Sequence, residues 1–273
     1  MEQFLKIHNA NIFVRTIGKG KPLIFLHGGP GGNHEFFLPH LEGLARDYQL
    51  IFYDQMGCGK SERSKDDSYS IHSEVELLES LRKELRLSKV NLFGESWGSI
   101  LALSYATTYP NAVEKVMLTA ALGLTNDVLH KFQKQLMSRL TIFDKLKFVY
   151  FSVLNKISKT PSSLRVTNIL DPYYVYSKDN VKKKKLLEFN DKVNQKIGED
   201  IKRNYHLTTK VELLEGIPIK IAQGTHDILS PNHIKESMVP YLPNSELVEI
   251  KQAGHWTIIE QPEIMKQHIR SFF

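Results

Sequence analysis

Short runs of consecutive apolar residues alternate along the chain with longer stretches whose apolar positions recur every three or four residues. The short runs are 23–28 (LIFLHG), 50–54 (LIFYD), 90–94 (VNLFG), 113–120 (VEKVMLTA), 217–224 (IPIKIAQG) and 246–250 (ELVEI). Several are nearly unbroken in apolar character, as expected of parallel strands covered on both faces. Val14–Ile17 is a weaker candidate for an edge strand. Helix-length segments lie between them, at 34–46, 71–87, 97–109, 231–240 and 261–272. Strand–helix alternation of this kind predicts a doubly wound α/β sheet.

The alternation breaks once. From Leu124 to Lys210 the pattern reads as helices only, with Pro161 and Pro172 as punctuation. An insertion of that length between two strands predicts a cap over the C-terminal edge of the sheet, where open α/β sheets bind ligands. The expected division is therefore a core of 1–123 and 211–273 with a helical cap at 124–210. The stretch LTIFDKLKFVYFSVL (140–154) is expected to form ordinary cap core; a hydrophobic lid or a membrane contact is the other reading.

Charge follows the same division. The 124–210 segment carries 18 Lys+Arg against 8 Asp+Glu, a net of +10 where the whole chain has +6. A solvated helical face accounts for Lys182–Lys185, with attraction to an acidic substrate or an anionic surface as the alternative. No nucleic-acid motif accompanies it. One cysteine, Cys58, excludes an internal disulfide framework and points to a reducing, cytoplasmic setting. No leader pattern is evident at the start, and no apolar run approaches the roughly 18 residues of a membrane span, so stable membrane insertion is not expected.

Gly94-Glu95-Ser96-Trp97-Gly98 joins a strand to a helix with no intervening loop. This is the G-x-S-x-G pattern, in which a sharp turn lifts a serine hydroxyl out of the sheet. A serine needs a base to become a nucleophile, and the base needs an orienting acid. His255 follows the last strand and Asp227 follows the strand before it. The order Ser96, Asp227, His255 is that of the α/β-hydrolases. His226 reads as a loop residue.

The run His27-Gly28-Gly29-Pro30-Gly31-Gly32 lacks both the P-loop lysine and dinucleotide-binding spacing. With Ser96 it reads as an oxyanion loop, the backbone N–H groups of Gly29 and Trp97 facing a developing negative oxygen. His27 is expected to hold this loop by hydrogen bonding. No metal-ligand spacing and no nucleotide cofactor motif are present, so neither metal nor cofactor is expected.

Taken together, HGGPGG (27–32), YDQMGCGKS (53–61), GESWG (94–98), GTHD (224–227) and AGH (253–255) resemble the proline iminopeptidases, serine peptidases that release an N-terminal proline. The resemblance spans most of 20–120 and 215–273. It implies the α/β-hydrolase fold, with a mostly parallel, eight-stranded type of sheet. It also implies the triad Ser96, Asp227 and His255, with Gly29 and Trp97 as oxyanion donors. Asp54 and Gln55 match positions that shape the turn after the fourth strand. Family peptidases hold the substrate's α-ammonium with glutamates, some from the cap. The candidates here are Glu188 and Glu199, the cap's two glutamates, and behind them Glu95, whose place on the turn could direct it into the sheet.

Two further readings stand beside an aminopeptidase acting on a small molecule or short peptide. One is an esterase or lactonase using the same machinery, which needs no ammonium site. The other is a non-catalytic ligand-binding module on the same fold.

Overall fold

A computed structural model describes residues 1–157, 163–185 and 188–273. Pro161 lies outside the described residues. Eight strands form one sheet: β1 (Glu2–Ile7), β2 (Ala10–Ile17), β3 (Lys21–Leu26), β4 (Tyr48–Tyr53), β5 (Val90–Glu95), β6 (Val113–Thr119), β7 (Ile219–Gly224) and β8 (Ser245–Ile250). Their spatial order is β1-β2-β4-β3-β5-β6-β7-β8. The first three in that order pair antiparallel, and every later pairing is parallel. The chain turns back between β3 and β5, and such a switch point is where a crevice opens at the carboxyl ends of the strands.

The central strands are apolar on both faces because both faces are covered. Leu23 and Phe25 of β3 point to one buried cluster, and Ile24 and Leu26 to the other. Leu50 and Phe52 against Ile51 and Tyr53 repeat the division on β4. Phe25 and Phe52 stack across the strand pair with ring centroids 4.6 Å apart.

Around the sheet lie α1 (Ile71–Glu84) and α2 (Trp97–Thr108). Between β6 and β7 come α3 (Val128–Arg139), α4 (Ile142–Ile157), α5 (Ser163–Tyr174) and α6 (Asp191–Asn204). The core resumes with α7 (Pro231–Ser237), α8 (Thr257–Glu260) and α9 (Pro262–Phe272). Ser70 caps α1 through a reciprocal box with Ser73. Pro172 falls inside α5 rather than at a break. The two ends of the 124–210 segment meet: Thr125 and His206 form an antiparallel bridge, and Leu207 N donates to Leu124 O at 2.8 Å.

Three expectations are corrected. The 34–46 segment forms two 3-10 turns, His34–Phe37 and Glu42–Arg46, and no α-helix. Leu38 between them is extended at φ −106° and ψ 139°, as the residue before Pro39 tends to be. The strand expected at the edge over 14–17 runs from Ala10 to Ile17 and is not at the edge, because β1 folds back as a hairpin onto its outer side and takes that place. Finally, α4 is not ordinary core, because Ile142, Phe143, Leu146, Val149, Tyr150 and Val153 are all exposed.

In the first turn of α1, Glu74 is fully buried and has no ion-pair partner among the described residues. Burial pushes its carboxyl from 4.5 up to about 8, against a smaller opposing contribution from the Met56 backbone. The folded state therefore binds this proton more tightly than the unfolded chain. Its contribution to stability is full below the unfolded value of 4.5 and is lost as pH rises through about 8. A tenfold difference in proton affinity between the folded and unfolded chain is worth about 1.4 kcal/mol, so Glu74→Gln should stabilise the protein by a few kcal/mol at alkaline pH. Thermal melts of both proteins at acid and alkaline pH check this: the gain in Tm should appear only at the alkaline end.

Candidate active site

Strand β5 passes directly into α2 at Ser96, whose φ of 52° and ψ of −115° lie outside the ordinary helical and extended regions. The neighbouring glycines are dictated by close approach. A Cβ on Gly94 would sit 2.3 Å from Gly98 O, and one on Gly98 would sit 2.0 Å from Leu26 O. Only hydrogen fits at either place. Ser96 N donates to Thr119 O at 3.0 Å, which ties the turn to β6.

The loops after β7 and β8 bring two more side chains to the same edge. Ser96 Oγ lies 2.9 Å from His255 Nε2, and His255 Nδ1 lies 2.8 Å from Asp227 Oδ1. Asp227 is held in turn: Gln223 Nε2 donates to its Oδ2 at 3.0 Å, and Leu229 N donates to its Oδ1 at 3.3 Å. Burial lowers the basicity of His255, but the charge and hydrogen bond of Asp227, with Glu95 adding, outweigh it. The net effect raises the imidazole pKa above its ordinary 6.5. His226 takes no part; it is exposed and bonds Thr225 Oγ1.

The 27–32 loop stands opposite. Gly29 has φ +126°, and a Cβ there would meet the Gly31 and Gly32 nitrogens at 2.7 Å. His27 Nε2 accepts from Gln55 N at 3.2 Å, which leaves the proton on Nδ1 to be donated to Gly28 O at 3.0 Å. Burial pushes the His27 pKa down and favours this neutral form. Gln55 also donates to His27 O at 3.0 Å and accepts the Trp97 indole N–H at 2.7 Å. One side chain thus fixes the loop and the residue after the serine together. Asp54 accepts from His34 N, His34 Nδ1 and Lys60 N, so it organises turns and does not face the serine.

The three glutamates stand in different surroundings. Glu188 is exposed, and its backbone carbonyl accepts from Asn33 Nδ2 at 3.3 Å. Glu199 is half-buried and accepts from Gln195 of its own helix at 3.0 Å. Glu95, by contrast, is buried beside Ser96: a Cβ on Gly28 would lie 2.0 Å from Glu95 Oε2 and 3.1 Å from Ser96 Cβ. The missing side chain at Gly28 makes room for this carboxylate, which explains why it does not turn into the sheet. Burial raises its pKa to about 7, and Asp227 adds to this, while His255, the Gly28 backbone and Lys184 oppose it.

Several residues around the site carried no signal in the sequence. Phe132 and Tyr174 place their rings 5.0 and 5.4 Å from the His255 imidazole. Arg139 donates to the backbone carbonyls of His226 and Asp227. Glu260 accepts from Gly254 N, Tyr176 N, Ser177 N and Asn180 Nδ2 at 2.6 to 3.1 Å. It thereby stitches the histidine loop to the chain following α5. Lys184 corrects the reading of Lys182–Lys185 as a solvated helical face: it is half-buried beyond a 3-10 turn, pairs with Asp171 at 2.9 Å and lies 4.6 Å over the Trp256 ring. No cluster of metal-ligating side chains occurs among the described residues.

Comparisons with known proteins agree with this architecture. The model of the alpha/beta hydrolase fold family matches residues 21–262. The proline iminopeptidase of Lactobacillus delbrueckii subsp. lactis is 28% identical over 279 residues, covering 95% of this chain and 93% of that protein. The proline iminopeptidase of Heyndrickxia coagulans is 42% identical over 104 residues, covering 38% of this chain and 36% of that one. Among solved structures, an alpha/beta fold family hydrolase from Bacillus anthracis str. Sterne superposes with a TM-score of 0.79 at 20% identity, covering 99% of this chain and 98% of that one. A proline iminopeptidase from Mycobacterium smegmatis does so with a TM-score of 0.76 at 17% identity, covering 99% and 97%. At those identities the structures speak to the fold alone. The chain belongs to the alpha/beta hydrolase fold family and is a hydrolase similar to the proline iminopeptidases.

Proposed function

We propose that the protein is a serine hydrolase working through an acyl-enzyme at Ser96, and that its substrates are amides of an N-terminal prolyl or small aminoacyl group. The observation that carries this is the hydrogen-bonded line from Ser96 Oγ through His255 to Asp227, at 2.9 and 2.8 Å. His255 Nε2 takes the hydroxyl proton as Ser96 Oγ bonds to the substrate carbonyl carbon. Asp227 stabilises the imidazolium without accepting its proton. The carbonyl oxygen becomes an oxyanion between the N–H groups of Gly29 and Trp97. His255 then passes its proton to the leaving nitrogen as the C–N bond breaks. In the second half a water gives a proton to His255 as its oxygen bonds to the ester carbon, and His255 then passes that proton to Ser96 Oγ as the C–Oγ bond breaks and the acid leaves.

Glu95 is our candidate for the substrate's α-ammonium. It is a buried carboxylate beside the nucleophile, and with a pKa near 7 it gains a counter-charge when an ammonium arrives. A charge removed from water needs such a partner. The four helices from α3 to α6 act in this reading as a cap that supplies Phe132 and Tyr174 to the pocket wall. That aromatic wall also favours a second reading, an esterase or lactonase for an apolar acyl group, in which Glu95 stays protonated.

Ser96→Ala should lower kcat on the best substrate by a factor on the order of 10⁴ or more with the thermal melt preserved. Near wild-type turnover in the purified variant contradicts the mechanism. Glu95→Gln separates the two readings. For prolyl amides its KM should rise roughly tenfold to a hundredfold, since a hydrogen bond to charge is lost, while p-nitrophenyl esters are nearly unaffected. An unchanged KM for both substrate classes favours the esterase.

The same variant has a pH signature. Activity requires neutral His255, so it rises with pH through the imidazole pKa, which is raised above 6.5. Glu95 contributes to that elevation, so Glu95→Gln should move the acidic limb of kcat/KM for a neutral ester to lower pH. A limb that stays in place shows that the two groups do not interact.

A further inference from the structure

Helix α4 carries an apolar face that nothing in the proposed reaction uses. Its exposed residues Ile142, Phe143, Leu146, Val149, Tyr150 and Val153 are between 49% and 72% accessible, and they make up six of the thirteen exposed large hydrophobic residues among the described residues. At about 100° per residue these six positions fall within an arc of roughly 120°, so they form one stripe and not scattered singles. The opposite side of the helix is the anchored one. Phe148 packs into the cluster of Leu136, Leu140 and Ile228, which Phe132 and Tyr174 also join. Asp144, the lone acid of the 142–153 stretch, is turned to Thr141 and Tyr173.

Lysines flank the stripe on both sides. Lys145 and Lys147 each lie about 40° beyond an edge of the apolar arc by the same helical count. Lys147 is 61% exposed and lies 3.5 Å from Asp144 on the helix's inner flank, and Lys145 is half-buried along its stem. An apolar stripe bordered by long cationic side chains is the arrangement of a helix lying in a bilayer interface, with ammonium groups at headgroup level. A second copy of the chain is the weaker occupant. Face-to-face contact would bring the Lys145 and Lys147 pairs of two molecules together, each from a segment with net charge +10.

We propose that the outer face of α4 rests on the surface of an anionic lipid bilayer, with Lys145 and Lys147 at the phosphate level and Phe143, Leu146 and Tyr150 among the acyl chains. This is a peripheral contact. No helix among the described residues is long and apolar enough to cross a membrane. On its inner side α4 is joined through Phe148 to the cluster holding Phe132 and Tyr174, whose rings lie 5.0 and 5.4 Å from His255. The proposal stands on the surface of α4 alone and does not depend on which substrate Ser96 attacks.

Flotation with extruded vesicles tests it, using phosphatidylcholine alone and phosphatidylcholine containing about one third phosphatidylglycerol. The full chain at low salt should partition roughly tenfold more onto the anionic vesicles. Leu146→Ser/Tyr150→Ser should abolish partitioning with an unchanged thermal melt. Lys145→Glu/Lys147→Glu should remove the preference for anionic vesicles. Failure to float with anionic vesicles at low salt overturns the proposal, as does equal flotation on both vesicle types or unaltered flotation of the serine variant. Sedimentation velocity supplies the remaining arm: a dimer that Leu146→Ser/Tyr150→Ser converts to monomer assigns the face to a second copy and overturns the lipid contact.

Discussion

The close approach of helix α2 to strand β3 governs the site. Gly98 sits against the Leu26 carbonyl with no space for a Cβ, and Gly94 sits against the Gly98 carbonyl in the same way. Because the helix starts that near the sheet, β5 must turn into it within a single residue. Ser96 is that residue, held at φ 52°. Strain of this kind persists only where surrounding packing over-determines it. Here α2 is buried along almost its whole length, between the sheet and α1. Hydrophobic burial spread over the helix thus keeps the serine poised, together with the Ser96 N–Thr119 O bond to β6.

The other groups are placed by buried polar side chains that do not themselves reach the serine. Gln55 joins the glycine loop to Trp97, Gln223 holds Asp227, and Glu260 joins the histidine loop to the segment after α5. Each is an inaccessible polar group with its hydrogen-bonding capacity committed to partners, and such networks resist displacement because an unmet partner in a low-dielectric interior is costly. Glu260 and Arg139 have a second consequence. Through them the segment between β6 and β7 touches the two loops that carry His255 and Asp227.

Much of this was legible in the sequence, for identifiable reasons. Parallel strands buried on both faces leave continuous apolar runs, so β3 to β7 could be read directly. A strand-to-helix joint with glycines on either side of a serine leaves a pattern that close packing makes unavoidable. The edge was harder: β1 alternates exposed and partly buried residues as a two-sided edge strand does, and it carries no apolar run. The apolar periodicity of 34–46 suggested one helix, but Pro39 lacks an N–H and splits the segment into two 3-10 turns. The direction of Glu95 was illegible because it depends on the space left at Gly28, which is remote in sequence. Glu260 left no trace at all, since its partners are mostly backbone N–H groups, the more distant of them 80 or more residues away. The apolar content of 140–154 pointed to core, but only one side of α4 has anything to pack on.

The central claim, that Ser96 is a nucleophile activated by His255, is tested most directly by covalent trapping. The purified protein would be treated with a fluorophosphonate, and the adduct located by peptide mapping in the wild type and in His255→Ala. The account predicts a single adduct on Ser96 that forms rapidly in the wild type and far more slowly in the variant. An adduct on another residue, or equal labelling of Ser96 with and without His255, would contradict it.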